Sequence, residues 1–218
     1  MGTDIHGVWQ IKTPEGWQDT AHPLGWDQER NYQLFAVLAG VRNGRGFAGV
    51  LLGEAVTPIA EPRGFPEGFE VNEDQRHPTF PDALHPQEKE WYLTDPAKER
   101  KPCTMWMGCH DQSWLTVDEM LAWYASAPVV RRCGVISVEE YRAWDREGEP
   151  HSYCGDVSGR DVVTCEETHL PTTPNATHVR VWWSVPLAKD LRFFFDVVKE
   201  MKEKHAGSEV RLVFGFDS

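Results

Sequence analysis

Between residues 178 and 216 the period of the apolar positions changes twice. The stretch HVRVWWSV (178–185) reads as a strand. Leu187, Leu191, Phe194, Phe195, Val198 and Met201 then recur at i, i+4, i+7, i+8, i+11 and i+14, the stripe of a helix with one buried face. Gly207 suits the C′ position of that helix. VRLVFGF (210–216) reads as a second strand. A strand, a helix and a strand of this length allow a right-handed crossover with the two strands parallel.

The rest of the chain is less regular. Residues 4–19 predict a hairpin turning at Thr13-Pro14-Glu15-Gly16, with Trp17 opening the return. Asp27 is placed to cap a helix running to about Val41, with Tyr32, Phe35, Leu38 and Ala39 on its core face and Gly40 ending it. Thr116 and Glu119 have the spacing of a capping box, and the helix they open closes by Pro128. VVRRCGVI (129–136) resembles a strand. Ser137 and Glu140 form a second capping-box pattern, opening a short helix that stops near Gly148. Residues 149–177 are polar, with a short strand at Val162-Val163. The expectation is an α/β or α+β fold in one domain, 1–218, with a mixed sheet and about four helices.

Residues 53–103 stand apart. They carry eight prolines and few periodic apolar runs, which excludes a regular core element. The stretch is too long for an ordinary connection, so it reads either as a proline-rich insertion that covers part of the fold or as a floppy insertion, with Trp91 and Tyr92 arguing for some docking.

Composition narrows the function classes. The chain has 218 residues, a net charge of −12, ten Trp and ten Phe. Such an acidic chain repels phosphate backbones, which disfavours general nucleic-acid binding, although a local basic patch can hold one small anion. Five cysteines, with no C-x-x-C, fit a reduced cytoplasmic protein better than a disulfide scaffold. No leader and no long apolar run is visible, so no membrane role is expected.

Several polar clusters carry candidate chemistry. Asp4 and His6 lie two apart in the first strand and share a face. Together they can hold a divalent metal, or act as a base and its orienting partner; the plainer reading is a structural hydrogen bond. If the last strand pairs near the first, Asp217 joins them, giving Asp4, His6 and Asp217 as metal ligands. The loop VRNGRGF (41–47) has glycines that turn backbone N–H groups toward an anion, with Arg42, Asn43 and Arg45 as added donors. It lacks the Gly-Lys-Ser/Thr of a P-loop, and the alternative is a helix stop with solvated arginines. Prolines around Arg63 (PIAEPRGFP, 58–66) would hold that guanidinium over an aromatic wall, suiting a planar anion; the equal alternative is a proline-rich surface excursion with a solvated arginine. In CHDQSWLT (109–116), His110 would serve as a general acid or base, and Ser113 and Trp114 would touch a ligand near a helix start. No G-x-S-x-G elbow supports a serine hydrolase, and Cys103, Cys109 and His110 fit no common zinc spacing. Arg30 and Tyr32 lie at the start of the first helix and would join the pocket if that turn faces Asp4 and His6.

The same pieces carry a family likeness. MGTDIH (1–6), RNYQLFAVLAGVRNG (30–44), PIAEPRGFPE (58–67), HDQSWLT (110–116) and VRLVFGFDS (210–218) resemble a group of phage and prophage proteins that open M-G-C-D-I-H and end F-D-N or F-D-S. The resemblance implies a phage-type accessory protein in a bacterial cytoplasm, and brings no assigned activity with it. Thr3 stands where that family usually has Cys, so a thiol there is not required in this chain; Ser218 stands where Asn is commoner.

Three functions follow as expectations. The first is a pocket for a small phosphate-bearing, nucleotide-like molecule, with sequestration of a host defence signal suggested by the resemblance alone. The second is a metal-dependent hydrolase or phosphodiesterase acting on such a molecule through Asp4, His6, Asp217 and His110. The third is a protein-binding inhibitor of a host factor that uses an acidic surface and exposed tryptophans.

Overall fold

The structure is a computed structural model that describes residues 2–20, 30–79 and 103–217. It is an α+β fold. Strands β1 (Ile5–Thr13), β2 (Gly16–Thr20), β5 (His110–Thr116) and β9 (Val210–Phe216) form an antiparallel sheet in the order β2-β1-β9-β5. Strands β6 (Val129–Ser137), β7 (Thr164–Glu166) and β8 (His178–Pro186) form a mixed sheet in the order β6-β8-β7, with β7 parallel to β8. A short pair, β3 (Arg76–Pro78) and β4 (Thr104–Trp106), lies apart from both.

The expected parallel crossover does not form. Strand β8 belongs to the mixed sheet and β9 to the antiparallel one. Burial explains the separation. Along β8, Val179, Val181, Trp183 and Val185 are buried and alternate with more exposed residues, so one face is covered. Every residue of β9 is buried, as a central strand packed on both faces requires.

One face of the antiparallel sheet carries the main core. Ile5, Trp9, Leu115, Leu212, Phe214 and Phe216 pack against α1 (Tyr32–Ala39), α2 (Val117–Ala125) and α5 (Arg192–Lys204). All six stripe residues of the C-terminal helical region are buried, and each contributes up to about 1.5–3 kcal/mol relative to exposure. The region is broken at Leu191 into α4 (Leu187–Asp190) and α5, and α5 ends at His205, which moves Gly207 beyond C′. Helix α1 begins at Tyr32 with Asn31 as its cap, and Gly40 ends it in the left-handed conformation. Asp27 lies outside the described residues, as do Trp91 and Tyr92.

The opposite face of the sheet buries Val8, Val213, Met105, Met107 and Cys103. Phe65, Phe69 and Val71 of the proline-rich stretch pack onto it, so the described part of that stretch covers the sheet. The Thr116–Glu119 capping box forms with both reciprocal bonds. Ser137 caps α3 (Val138–Ala143), which ends earlier than Gly148, and the strand expected at Val162-Val163 begins two residues later, as β7. All five cysteines are free. Among the described residues, no helix is long and apolar enough to cross a membrane.

Candidate functional site

Strand pairing does bring the two chain ends together. The Asp217 N–H donates to the Asp4 carbonyl at 3.1 Å, and the Asp4 N–H donates to Asp217 Oδ1 at 2.8 Å. His6 Nε2 lies 3.3 Å from Asp217 Oδ2, and its ring sits 4.7 Å from Trp106. The Asp4 carboxylate turns elsewhere. It accepts from Arg30 Nε at 2.7 Å and Nη2 at 3.1 Å, and that bond holds its carboxyl below the usual range. Thr3, fully buried, accepts from Arg42 Nε at 2.9 Å. Asp4, His6 and Asp217 are thus spent on backbone capping, on each other and on Arg30. Among the described residues, no three His, Cys, Asp or Glu side chains group as metal ligands.

Beside this end lies a half-open cleft of about 190 Å³. Arg30, Arg42, Arg45, Arg131 and Arg132 line it, with Glu54 the only acidic residue among the described ones and Tyr32, Tyr153 and Trp183 as aromatic wall. Local structure explains the convergence. After α1 the chain turns through Arg42 and Gly44, both at positive φ, and residues 51–54 then run beside β6. The Glu54 N–H donates to the Arg131 carbonyl and the Cys133 N–H to the Leu52 carbonyl, each at 2.9 Å. Gly53 permits this approach, since a Cβ there would sit 2.5 Å from the Arg131 carbonyl oxygen. The docking brings Arg42 and Arg45 to the same cleft as Arg131 and Arg132.

The five guanidiniums are not equally committed. Arg30 is held by Asp4, and Arg132 by Gln33 and Asp190. Arg42 is tied to Thr3 and lies over the Tyr32 ring. Arg131 stacks on Trp182 at 5.1 Å, and Arg45 makes one long bond, 3.4 Å, to the Gly49 carbonyl. No carboxylate among the described residues pairs with the side chain of either Arg45 or Arg131. Burial, then the nearby Glu149, pushes the Tyr153 hydroxyl up to about 12, so it stays a neutral donor at pH 7.

Of the residues singled out from sequence, Arg30, Tyr32, Arg42 and Arg45 line this cleft. Asn43 instead bridges the Val56 N–H and carbonyl, bracing the loop. Arg63 forks onto Glu119 and lies over Trp114, while its N–H donates to Ser113 Oγ at 3.2 Å; these three residues tie the proline-rich stretch to β5 and α2. His110 pairs with Asp111 at 2.7 Å and sits opposite Phe216, whereas His6 sits opposite Gly215. Neighbours across a register share a face, so the two histidines lie on opposite faces of the sheet and do not meet.

Arg131 and Arg132 were absent from the sequence-derived site. Their signal was present, two consecutive arginines inside an apolar strand, but β6 puts consecutive residues on opposite faces, and only the 51–54 segment beside them makes a cleft. Compared with protein-family models, with curated proteins and with solved structures, the chain matches none.

Proposed function

We propose that the protein binds a small phosphate-bearing molecule of the nucleotide class in the arginine cleft, and that it acts as a phage-type accessory protein sequestering such a signal in a bacterial cytoplasm. The observation that carries the binding reading is the concentration of five arginines in one cleft of a chain with net charge −12, two of them with no carboxylate partner among the described residues. Volume limits the ligand. Ligand pockets usually run to about 300–1,000 Å³, and this one holds about 190 Å³. The enclosed part therefore takes the phosphate end, and a base or sugar lies at the open side against Tyr153 and Tyr32. The protective, sequestering role rests on the family resemblance.

The test is calorimetric titration with inorganic phosphate and with nucleoside mono- and diphosphates, repeated on Arg45→Ala and Arg131→Ala. Saturable binding is expected, weakened by at least about tenfold in each variant and by added salt. Binding that is absent, or unchanged in both variants, overturns the proposal.

A further inference from the structure

A second polar cluster sits on the sheet face away from α1 and α5, and it shares no residue with the arginine cleft. Gln10 and Arg211 face each other across β1 and β9. Both are only 4% exposed, and His77 is 7% exposed. Arg211 Nε and Nη2 both donate to Gln10 Oε1, at 3.0 and 2.8 Å. Gln10 Nε2 donates to Asp19 Oδ1 at 2.8 Å, and His77 Nε2 lies 3.0 Å from Asp19 Oδ2. His77 Nδ1 faces the Glu70 carbonyl at 2.7 Å. Both ring nitrogens of His77 thus face acceptors. Gln10 stands between the Arg211 guanidinium and the Asp19 carboxylate.

Among the described residues Arg211 is therefore a buried guanidinium with no direct acidic partner, which proteins rarely leave. Its Nη1 donates to no protein group among the described residues. The free edge opens on a cleft of about 870 Å³ that also borders Glu15, Glu67 and Glu70. We propose that this cleft binds a zwitterion of the amino-acid class, its carboxylate on the free edge of Arg211 and its ammonium toward the exposed glutamates.

Charge decides among ligand classes. A simple anion would meet three glutamates at the rim, while a simple cation would leave the Arg211 donors empty. A carboxylate matches the guanidinium fork in two parallel bonds, and an ammonium on the same molecule matches the rim. A sugar stacked on Trp17 is disfavoured, because that ring already carries Arg211 at 3.9 Å and Lys12 at 5.0 Å. Burial pulls the Arg211 pKa down to about 10, the signature of a charge short of compensation that a bound carboxylate would supply.

The test titrates the full chain with L-lysine, acetate and lysinamide, followed by calorimetry and by amide NMR shifts. L-Lysine is expected to saturate with a Kd of about 1 mM or tighter, and acetate and lysinamide to bind at least about tenfold more weakly. Arg211→Gln removes binding in protein shown to be folded by circular dichroism. Glu15 and Glu67 are exposed, so the double variant Glu15→Gln, Glu67→Gln remains folded and weakens L-lysine by about fivefold or more. Absent saturation by L-lysine overturns the proposal, as does acetate binding equally well. Unchanged affinity in either variant overturns it too, and the double variant decides the matter if Arg211→Gln does not fold.

Discussion

Replacing Arg63 by Ala separates a structural arginine from a ligand-binding one. In the structure its Nη2 lies 2.6 Å from Glu119 Oε1 and its Nη1 3.2 Å from Glu119 Oε2. The same guanidinium sits 4.9 Å from the Trp114 ring centre and donates a long bond, 3.3 Å, to the Trp114 carbonyl. The paired side chains are 30% and 36% exposed, so solvent screens them and the fork is worth about 0.2–1 kcal/mol. The half-exposed cation–π contact adds about 0.5–1 kcal/mol, and the long carbonyl bond a few tenths more. The sum is about 1–2 kcal/mol. For a chain of this length that lowers Tm by roughly 3–6 °C. Equilibrium urea unfolding measures it directly. Arg63→Lys keeps the charge but loses the fork, so it recovers less than half. A double-mutant cycle with Glu119→Gln isolates a coupling of about 0.5 kcal/mol. Phosphate binding at the arginine cleft stays unchanged throughout. A stability change under about 0.3 kcal/mol refutes the ledger. A loss of phosphate binding in folded Arg63→Ala refutes the assignment of Arg63 as a strut.

Asp19 predicts a pH dependence. Burial pushes its carboxyl up, but the hydrogen bonds it accepts, the one from His77 first, outweigh burial and hold it below its ordinary value of 3.8. Its stabilisation is complete above the unfolded value and is lost as pH falls through 3.8 toward the folded one, so urea stability of the native chain drops there and Asp19→Asn shows a flatter slope over the same range. Gly215→Ala places a Cβ 2.2 Å from the Met107 carbonyl oxygen, a backbone atom with no flexible end to move, and costs about 3 kcal/mol by denaturant unfolding; a loss under about 1 kcal/mol would show that the strand relaxes. Thr3→Val removes the acceptor that Arg42 Nε uses, while Thr3→Ser keeps it. Phosphate affinity is expected to fall by about fivefold in the first and to hold in the second, which titration checks; equal affinities would show that Thr3 does not position Arg42.

Much of the local structure was legible in the sequence, because it is decided locally. The Thr116–Glu119 box, the Gly40 stop and the Leu187-to-Met201 stripe each follow from residues within a few positions of one another. Sheet membership was not, because partners are chosen across the whole chain. Even so, one cue separated β8 from β9. HVRVWWSV alternates its apolar residues and VRLVFGF does not, the mark of a strand covered on one face against a strand covered on both. The break at Leu191 had no cue, since the stripe runs through it without losing phase.

The two clefts differ in what would have revealed them. Arg42 and Arg45 stand in a glycine-rich loop, a context that suggests anion binding by itself, whereas Arg131 and Arg132 read as ordinary strand residues until the 51–54 segment is laid beside them. Arg211 was the reverse case. A lone arginine inside VRLVFGF and a lone glutamine inside GVWQIK interrupt runs that are otherwise apolar. Antiparallel pairing of the first and last strands, which the sequence raised only as a condition and without a direction, puts Gln10 opposite Arg211. A charge in a central strand must find a partner or a ligand, and Gln10, being neutral, leaves that demand half met. Asp4, His6 and Asp217 drew attention for the opposite reason. They look like chemistry in one dimension, but strand pairing gives Asp217 the Asp4 N–H and turns the Asp4 carboxylate to Arg30. What the structure gives them is a positioning role, Asp4 holding Arg30 at the edge of the arginine cleft, and in the proposed binding they would act through that position rather than through bonds to the ligand.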